Sequence, residues 1–538
     1  MLDTESAVKT TPRHGDRRPR QPAPPGRYRI PAPLRHLPAL ACAIAALIAL
    51  AVILRAGHPV QAYLVNSDAF YLPVLFDDLL ARGGSLADWY LTPAPYFFPD
   101  FPLYFLAWLG ATGAFGQVTL FALLQVASTG IALFLLARPA LASGRLLAAA
   151  ELTVLFVWLG LHAYGPYVYL FSSAHHYGAF VAALLLLALW LGRDARPGRA
   201  GSAMLALLVF LATLSDALFL VQAVVPLTAA AFLCRHGATP ATGPRRVLLL
   251  LIAPALAAML SYRFLVAHPT RYKARLGFGR LQEHLGELAG IGDALFASRP
   301  LLAAALLLAL FAGLACCAAL LRGRKIAALP RPLVLLLVFA TLSCAASIAL
   351  MLLSTNVEAV PRYLIAALSW PLVAGLFALA HLLGRHFRYA GLGLAAVFAA
   401  LLAVQAWQAR QVRDADRYFY PEQIACIDRA LAAANARHGI AQYWDAKLLQ
   451  GLSRRQLTLA QYFGTLEPMQ WITSQGFFGE RYDFAIIAED EGPAFRLPRE
   501  QLLSASGQVA QSVSCGNRTV LLFGSPGLHV GGAKAGAN

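Results

Sequence analysis

Residues 300–321 read PLLAAALLLALFAGLACCAALL, twenty-two positions without a charged side chain. At a rise of about 1.5 Å per residue, such a run crosses the roughly 30 Å hydrocarbon core of a bilayer as a single helix. Ten further apolar segments lie near 38–54, 117–137, 146–164, 179–192, 202–214, 217–233, 247–267, 333–353, 363–383 and 390–407. Across 538 residues, 59% are hydrophobic and 13% charged, with a mean hydropathy of +0.60, whereas a soluble domain carries about 25% charge. This composition excludes intrinsic disorder, a collagen-like repeat and a disulfide-dense secreted scaffold. It predicts an α-helical polytopic membrane protein with about 11 transmembrane helices,.

The formal charge of +17 and a pI near 9.8 raise the question of nucleic acid. Residues 1–37 hold eight basic side chains against three acidic ones and are rich in Pro. They read as a disordered cytoplasmic tail that favours anionic headgroups. No zinc spacing, aromatic RNP motif or recognition helix accompanies the charge, so nucleic acid is not an expected partner. No cleavable signal peptide is evident, since the first apolar segment begins only near Pro38,.

With the N-terminus inside, the even-numbered connections carry the cations: Arg138 and Arg145; Arg193, Arg196 and Arg199; Arg235, Arg245 and Arg246; Arg322, Arg324, Lys325 and Arg331; Arg385 and Arg388. This is the positive-inside pattern. Residues 38–408 form the transmembrane domain, with a long first outer loop at 55–116, and residues 409–530 form a C-terminal α/β domain on the outer face. Phe101–Phe115 would invert the rule as a span and reads as an interfacial or re-entrant helix. Residues 531–538 read as a disordered tail. Within the outer domain the sequence predicts a helix over 422–438 and β-rich runs at 441–449, 457–462, 482–488 and 519–523,.

Of seven cysteines, only Cys426 and Cys515 fall in that domain. In an oxidising compartment they are expected to pair rather than remain as free thiols. No CxxC or HxxxH spacing points to a structural metal.

Polar chemistry gathers on the outer side. The first loop runs Asn66-Ser67-Asp68-Ala69-Phe70-Tyr71, continues to Asp77-Asp78 and Gly83-Gly84, and ends in the aromatic, Pro-rich stretch Trp89–Asp100. Asp68, Asp77 and Asp78 are the candidate catalytic acids. The blander alternative makes Asp68 a helix cap and the other two a solvated face. On one helix Asp68 and Asp78 would lie about 80° apart, with Asp77 nearly opposite. Positive charge on the same side comes from Arg271 and Lys273 in one loop and from Arg362, next to Glu358, in another; interfacial anchoring is the alternative. His175 and His176 sit in an aromatic loop with Tyr164, Tyr167, Tyr169 and Tyr177, and Asp216 sits between two apolar segments, where an acid is costly unless paired or facing a cavity,. Tyr71 and Asp100 complete the candidate substrate-binding set.

With Asp68 just after the first span, the interfacial segment Pro102-Leu103-Tyr104-Phe105-Leu106 leading to the second, and a C-terminal outer domain, the chain resembles the GT-C polytopic glycosyltransferases, which include protein O-mannosyltransferases and lipid A aminoarabinose transferases. The resemblance implies a polyprenyl-phosphate sugar as donor, an outer-face carboxylate as general base, inversion, and a glycan, lipid or protein acceptor. It leaves a divalent metal open. Protein O-mannosyltransferases carry an adjacent Asp-Glu pair, whereas here Ala69 follows Asp68, which weighs against the protein-modifying branch. Arg-heavy, Lys-poor, Ala-rich usage is that of high-GC bacteria, which would make the membrane the inner one and the outer face periplasmic. The competing expectations are a transporter or flippase of lipid-linked sugars and a non-catalytic envelope assembly protein.

Overall fold

The computed structural model describes residues 36–162, 165–193, 198–234, 244–269, 275–355, 360–412, 419–506 and 509–530. Arg271, Lys273, Glu358 and Tyr164 lie outside the described residues, as do most of the N-terminal tail and the last eight positions.

Among the described residues, eight helices are long and apolar enough to cross a membrane: Leu37–Arg55, Ala114–Ala140, Arg145–His162, Pro244–Leu265, Pro300–Leu321, Arg331–Leu353, Pro361–Leu383 and His386–Gln411. Three shorter apolar helices, Tyr177–Gly192, Arg199–Ser215 and Leu220–Leu233, occupy the remaining segments. Every apolar run of the sequence is therefore helical. Arg145–His162, Arg331–Leu353 and Pro361–Leu383 are mostly buried within the bundle, while Leu37–Arg55, Pro244–Leu265, Pro300–Leu321 and His386–Gln411 turn apolar sides outward. Leu301, Leu308, Phe311, Val397 and Trp407 are accordingly exposed, which suits a protein whose surroundings are lipid.

The helix Asp100–Gly110 is set off from the long helix Ala114–Ala140 by a break that includes Gly113, held at φ +72°. With 11 residues it is too short to span,. Its buried residues Asp100, Tyr104 and Ala107 recur at helical spacing, and Phe105, Leu106 and Leu109 face outward,.

Among the described residues eight strands complete the fold: β1 (Trp89–Leu91), β2 (His268–Pro269), β3 (His438–Ala441), β4 (Thr458–Gln461), β5 (Thr473–Ser474), β6 (Phe484–Ala488), β7 (Val509–Cys515) and β8 (Arg518–Phe523). The C-terminal domain is a five-stranded mixed sheet in the order β4-β3-β6-β8-β7, parallel across β4-β3-β6 and antiparallel across β6-β8-β7. Glu422–Ala433, Tyr443–Leu452 and Arg499–Ser506 are its helices. The expected strand at 441–449 is instead a helix, because the Gln442 side chain caps the Trp444 amide and Ala446, Leu449 and Leu452 bury one helical face,. The edge strand β7 has polar outward residues and no apolar run to announce it. Cys426 and Cys515 are disulfide-bonded with a Cα–Cα distance of 5.7 Å, joining the helix Glu422–Ala433 to the end of β7.

A second, three-stranded sheet in the order β2-β1-β5 stitches the first loop to the loop after Pro244–Leu265 and to the C-terminal domain. The domain is thereby seated over the polar end of the bundle.

Candidate active site

Asp68 lies three residues ahead of the helix Tyr71–Leu80 rather than inside it, so its carboxylate is not a helix cap. The local amide bond is made by Asn66, whose Oδ1 accepts from Ala69 N at 2.9 Å. The Asp68 side chain is free to turn toward the C-terminal domain, where the Tyr443 hydroxyl donates to its Oδ1. Ser67 fixes the same junction by donating to the Tyr443 carbonyl. Trp471 is hydrogen-bonded to the Tyr443 side chain, and since an indole N–H only donates, the chain runs Trp471 to Tyr443 to Asp68. Burial and the neighbouring Asp68 charge push the Tyr443 phenol up, so it remains a donor at neutral pH.

The second Asp68 oxygen faces two nitrogen groups. Arg362 Nη1 is 3.9 Å away and His175 Nε2 is 3.7 Å away. His175 Nδ1 lies 2.6 Å from the Ser173 carbonyl, which can only accept, so the ring proton sits on Nδ1 and the Nε2 lone pair faces Asp68. Burial pushes the His175 imidazole down to about 4, which keeps it neutral at physiological pH. Arg362 Nε is buried without a hydrogen-bond partner.

The loop from 172 to 176 sends its two histidines to different acids. Ala174 and His176 adopt left-handed conformations with φ of +60° and +69°, each costing roughly 1–3 kcal/mol for a residue with a Cβ. Hydrogen bonds from three residues brace the turn. Gln125 Nε2 donates to the carbonyls of Tyr169, Leu170 and Ser172 at 3.1, 2.8 and 3.2 Å. Ala174 N donates to Asp100 Oδ1 at 3.3 Å, and Ser173 Oγ donates to the Ala69 carbonyl at 3.4 Å. His176 Nδ1 lies 2.7 Å from Asp216 Oδ2. Asp216, at the end of Arg199–Ser215, also accepts from Leu218 N at 2.9 Å. Its burial is thus offset by two donors. Asp100 accepts from the Ala174 amide and from its own, yet burial pushes its carboxyl up to about 7.

A cavity of about 870 Å³ collects these groups. Asp68, His176, Asp216 and Arg362 line it together with Thr92, Tyr96 and Tyr363, and the C-terminal domain closes it with Tyr443, Trp444, Met469, Trp471, Ile472 and Phe495. Among the described residues no group of three or more His, Cys, Asp or Glu side chains is placed to hold a metal ion.

Three sequence candidates stand elsewhere. Asp77 pairs with Arg82 at 2.7 Å on the surface, and Arg82 also donates to the Leu457 carbonyl at 3.1 Å, so this pair ties the first loop to the C-terminal domain. Asp78 accepts from Trp89 Nε1 at 2.7 Å, and burial pushes its carboxyl upward. Tyr71 is fully buried and donates to the Pro95 carbonyl at 3.4 Å. The shared helical face expected for Asp68 and Asp78 does not exist, because the helix begins only at Tyr71.

Other residues of the site are silent in the sequence. Tyr443 and Trp471 carry no motif and lie far along the chain from Asp68. Lys447 is 2% exposed, donates to Gln461 Oε1 and holds its ammonium 4.2 Å from the Tyr443 ring centroid. Burial pushes its amine down to about 7.

No protein-family model matches this sequence, and no curated protein matches it. Among solved structures the chain is similar to ArnT from Cupriavidus metallidurans bound to undecaprenyl phosphate, with 13% sequence identity, a TM-score of 0.48, and coverage of 92% of this chain and 99% of that one.

Proposed function

We propose that the chain is an integral membrane glycosyltransferase of the GT-C type, moving a sugar from a polyprenyl-phosphate donor to an acceptor hydroxyl at the outer, periplasmic face of a bacterial inner membrane. The observation that carries this reading is the pairing, on one cavity wall, of a carboxylate with an incompletely satisfied guanidinium: Asp68 lies 3.9 Å from Arg362, whose Nε is buried and unbonded.

Asp68 is the general base. It takes the proton of the acceptor hydroxyl as that oxygen forms a bond to the anomeric carbon, and the bond from that carbon to the phosphate oxygen breaks on the opposite face, with inversion. The leaving polyprenyl phosphate is already a stable anion and needs no proton. It needs cationic donors, and Arg362 supplies them. The His176–Asp216 pair holds sugar hydroxyls on the same wall. Neutral His175 adds no second cation beside Asp68.

The test is transfer of radiolabelled sugar from bacterial polyprenyl-phosphate sugars by purified wild type, Asp68→Asn and Asp77→Asn proteins matched for unfolding temperature. Asp68→Asn is expected to lower transfer at least about 100-fold, the usual contribution of a positioned base, and Asp77→Asn to leave it within about twofold. Full transfer by Asp68→Asn overturns the assignment of the base, and absence of transfer by wild type with every donor overturns the reaction.

A further inference from the structure

The two walls of the cavity differ in chemistry. The ionisable lining groups Asp68, His176, Asp216 and Arg362 come from the membrane domain, whereas Tyr443, Trp444, Met469, Trp471, Ile472 and Phe495, all from the C-terminal domain, carry no formal charge. Three of these aromatic rings are not consumed by mutual stacking. Trp444 stands at 79° to Tyr443 with centroids 4.9 Å apart, and at 61° to Phe495 with centroids 6.5 Å apart. An edge-to-face contact covers one face of one ring with the edge of the other, so what stays open is set by exposure. Trp444 is also 39% exposed while lining the cavity, although a tryptophan at the start of a helix in a small closed domain has every opportunity to be buried.

The same wall is tied to the base. Trp471 hydrogen-bonds Tyr443, and Tyr443 donates to Asp68. A ligand lying on these rings therefore has its edge next to the carboxylate. The class that matches is a pyranose: one face is a patch of C–H groups that stacks on an indole, and the ring edge carries hydroxyls. An unfunctionalised lipid has no hydroxyl to place at Asp68.

We propose that the aromatic wall of the C-terminal domain is an acceptor subsite for a pyranose ring, with Trp444 as its stacking platform, so that the acceptor is a glycan or the sugar headgroup of a glycolipid. The proposal rests on the transferase reading for the word acceptor, and on the cavity geometry alone for the sugar site.

Saturation-transfer difference NMR on the full-length, detergent-solubilised protein tests it, with the methyl pyranosides of glucose, galactose, mannose and N-acetylglucosamine as probes and the linear polyol sorbitol as control. At least one pyranoside is expected to receive saturation on its ring C–H protons, and sorbitol none. The signal is expected to persist in Trp444→Tyr, which keeps a ring face, and to fall at least threefold in Trp444→Leu, which keeps an apolar side chain without one. No pyranoside signal with wild type overturns the proposal, as does an undiminished signal in a folded Trp444→Leu protein or an equal signal from sorbitol. Binding of undecaprenyl phosphate, read as a shift in unfolding temperature, is measured in parallel. Pyranoside binding without it removes the transferase reading and leaves the sugar platform standing; undecaprenyl phosphate binding without any pyranoside signal does the reverse.

Discussion

Asp68 owes its orientation to one phenol. With Tyr443 removed, the carboxylate would keep Arg362 at 3.9 Å, longer than a direct hydrogen bond. Tyr443→Phe preserves the ring and its contact with Lys447 but deletes the donor. We expect kcat to fall roughly 10- to 100-fold with donor KM unchanged, the signature of a base that is present but misaimed; equal losses in kcat and donor affinity would assign Tyr443 to the donor site instead. Asp100 makes a pH prediction. Burial raises its carboxyl from 3.8 to about 7, so between those values the folded protein holds a proton that the unfolded chain releases. Its contribution to stability is complete at the low end and is lost as pH rises through about 7. Asp100→Asn cannot ionise, and its unfolding temperature is expected to fall less than that of wild type between about pH 5 and about pH 8. At this scale Asp68, His176, Asp216 and Arg362 were legible as polar residues left over at the ends of apolar runs. Tyr443 and Trp471 were not, because what makes them part of the site is a packing contact and no local pattern encodes it.

The eleven apolar helices were legible because a run near twenty residues without charge has one stable fate in lipid. A helix too short to span was legible in 101–115 from its length, though it runs only over Asp100–Gly110 and Phe115 belongs to the next helix. The helix Tyr443–Leu452 was misread as a strand, since its β-branched-poor, aromatic start looked like neither, and a single glutamine cap decides the matter. Its placement depends on a glycine. A Cβ on Gly451 would lie 2.5 Å from Phe70 Cδ1 and 3.4 Å from the Ala114 Cβ, so helix and first loop meet backbone to ring. Gly451→Val is expected to lift the helix, draw Tyr443 from Asp68 and reduce transfer at least about tenfold, as overpacking of a tight contact does. Activity equal to wild type would mean that the helix can shift without moving the phenol. Asp78 belongs here too: its bond to Trp89 braces β1 against Tyr71–Leu80, a structural task that a helical wheel drawn from Asp68 could not anticipate.

For the whole molecule, the proposed orientation predicts that a membrane-impermeant maleimide applied to intact spheroplasts labels a cysteine placed at the exposed Glu500, in a background lacking the native free cysteines, and spares one placed at Arg324. The reverse pattern would invert the protein. The bond between Cys426 and Cys515 closes a separation of 89 residues, and Cys426→Ser with Cys515→Ser is expected to cost the C-terminal domain about 4–5 kcal/mol in the chain-entropy account, measured by urea unfolding followed on that domain. The seating of the C-terminal domain on the bundle was not legible in the sequence, because the small sheet β2-β1-β5 joins three distant segments of two or three residues each. That sheet, together with the 375-residue separation of Asp68 and Tyr443, orders events during biogenesis. The acid is made early, while its phenolic partner leaves the ribosome only after every membrane helix has been made. A nascent or truncated chain therefore carries a half-built centre, and a polypeptide interrupted anywhere before β5 lacks part of the wall that closes the cavity.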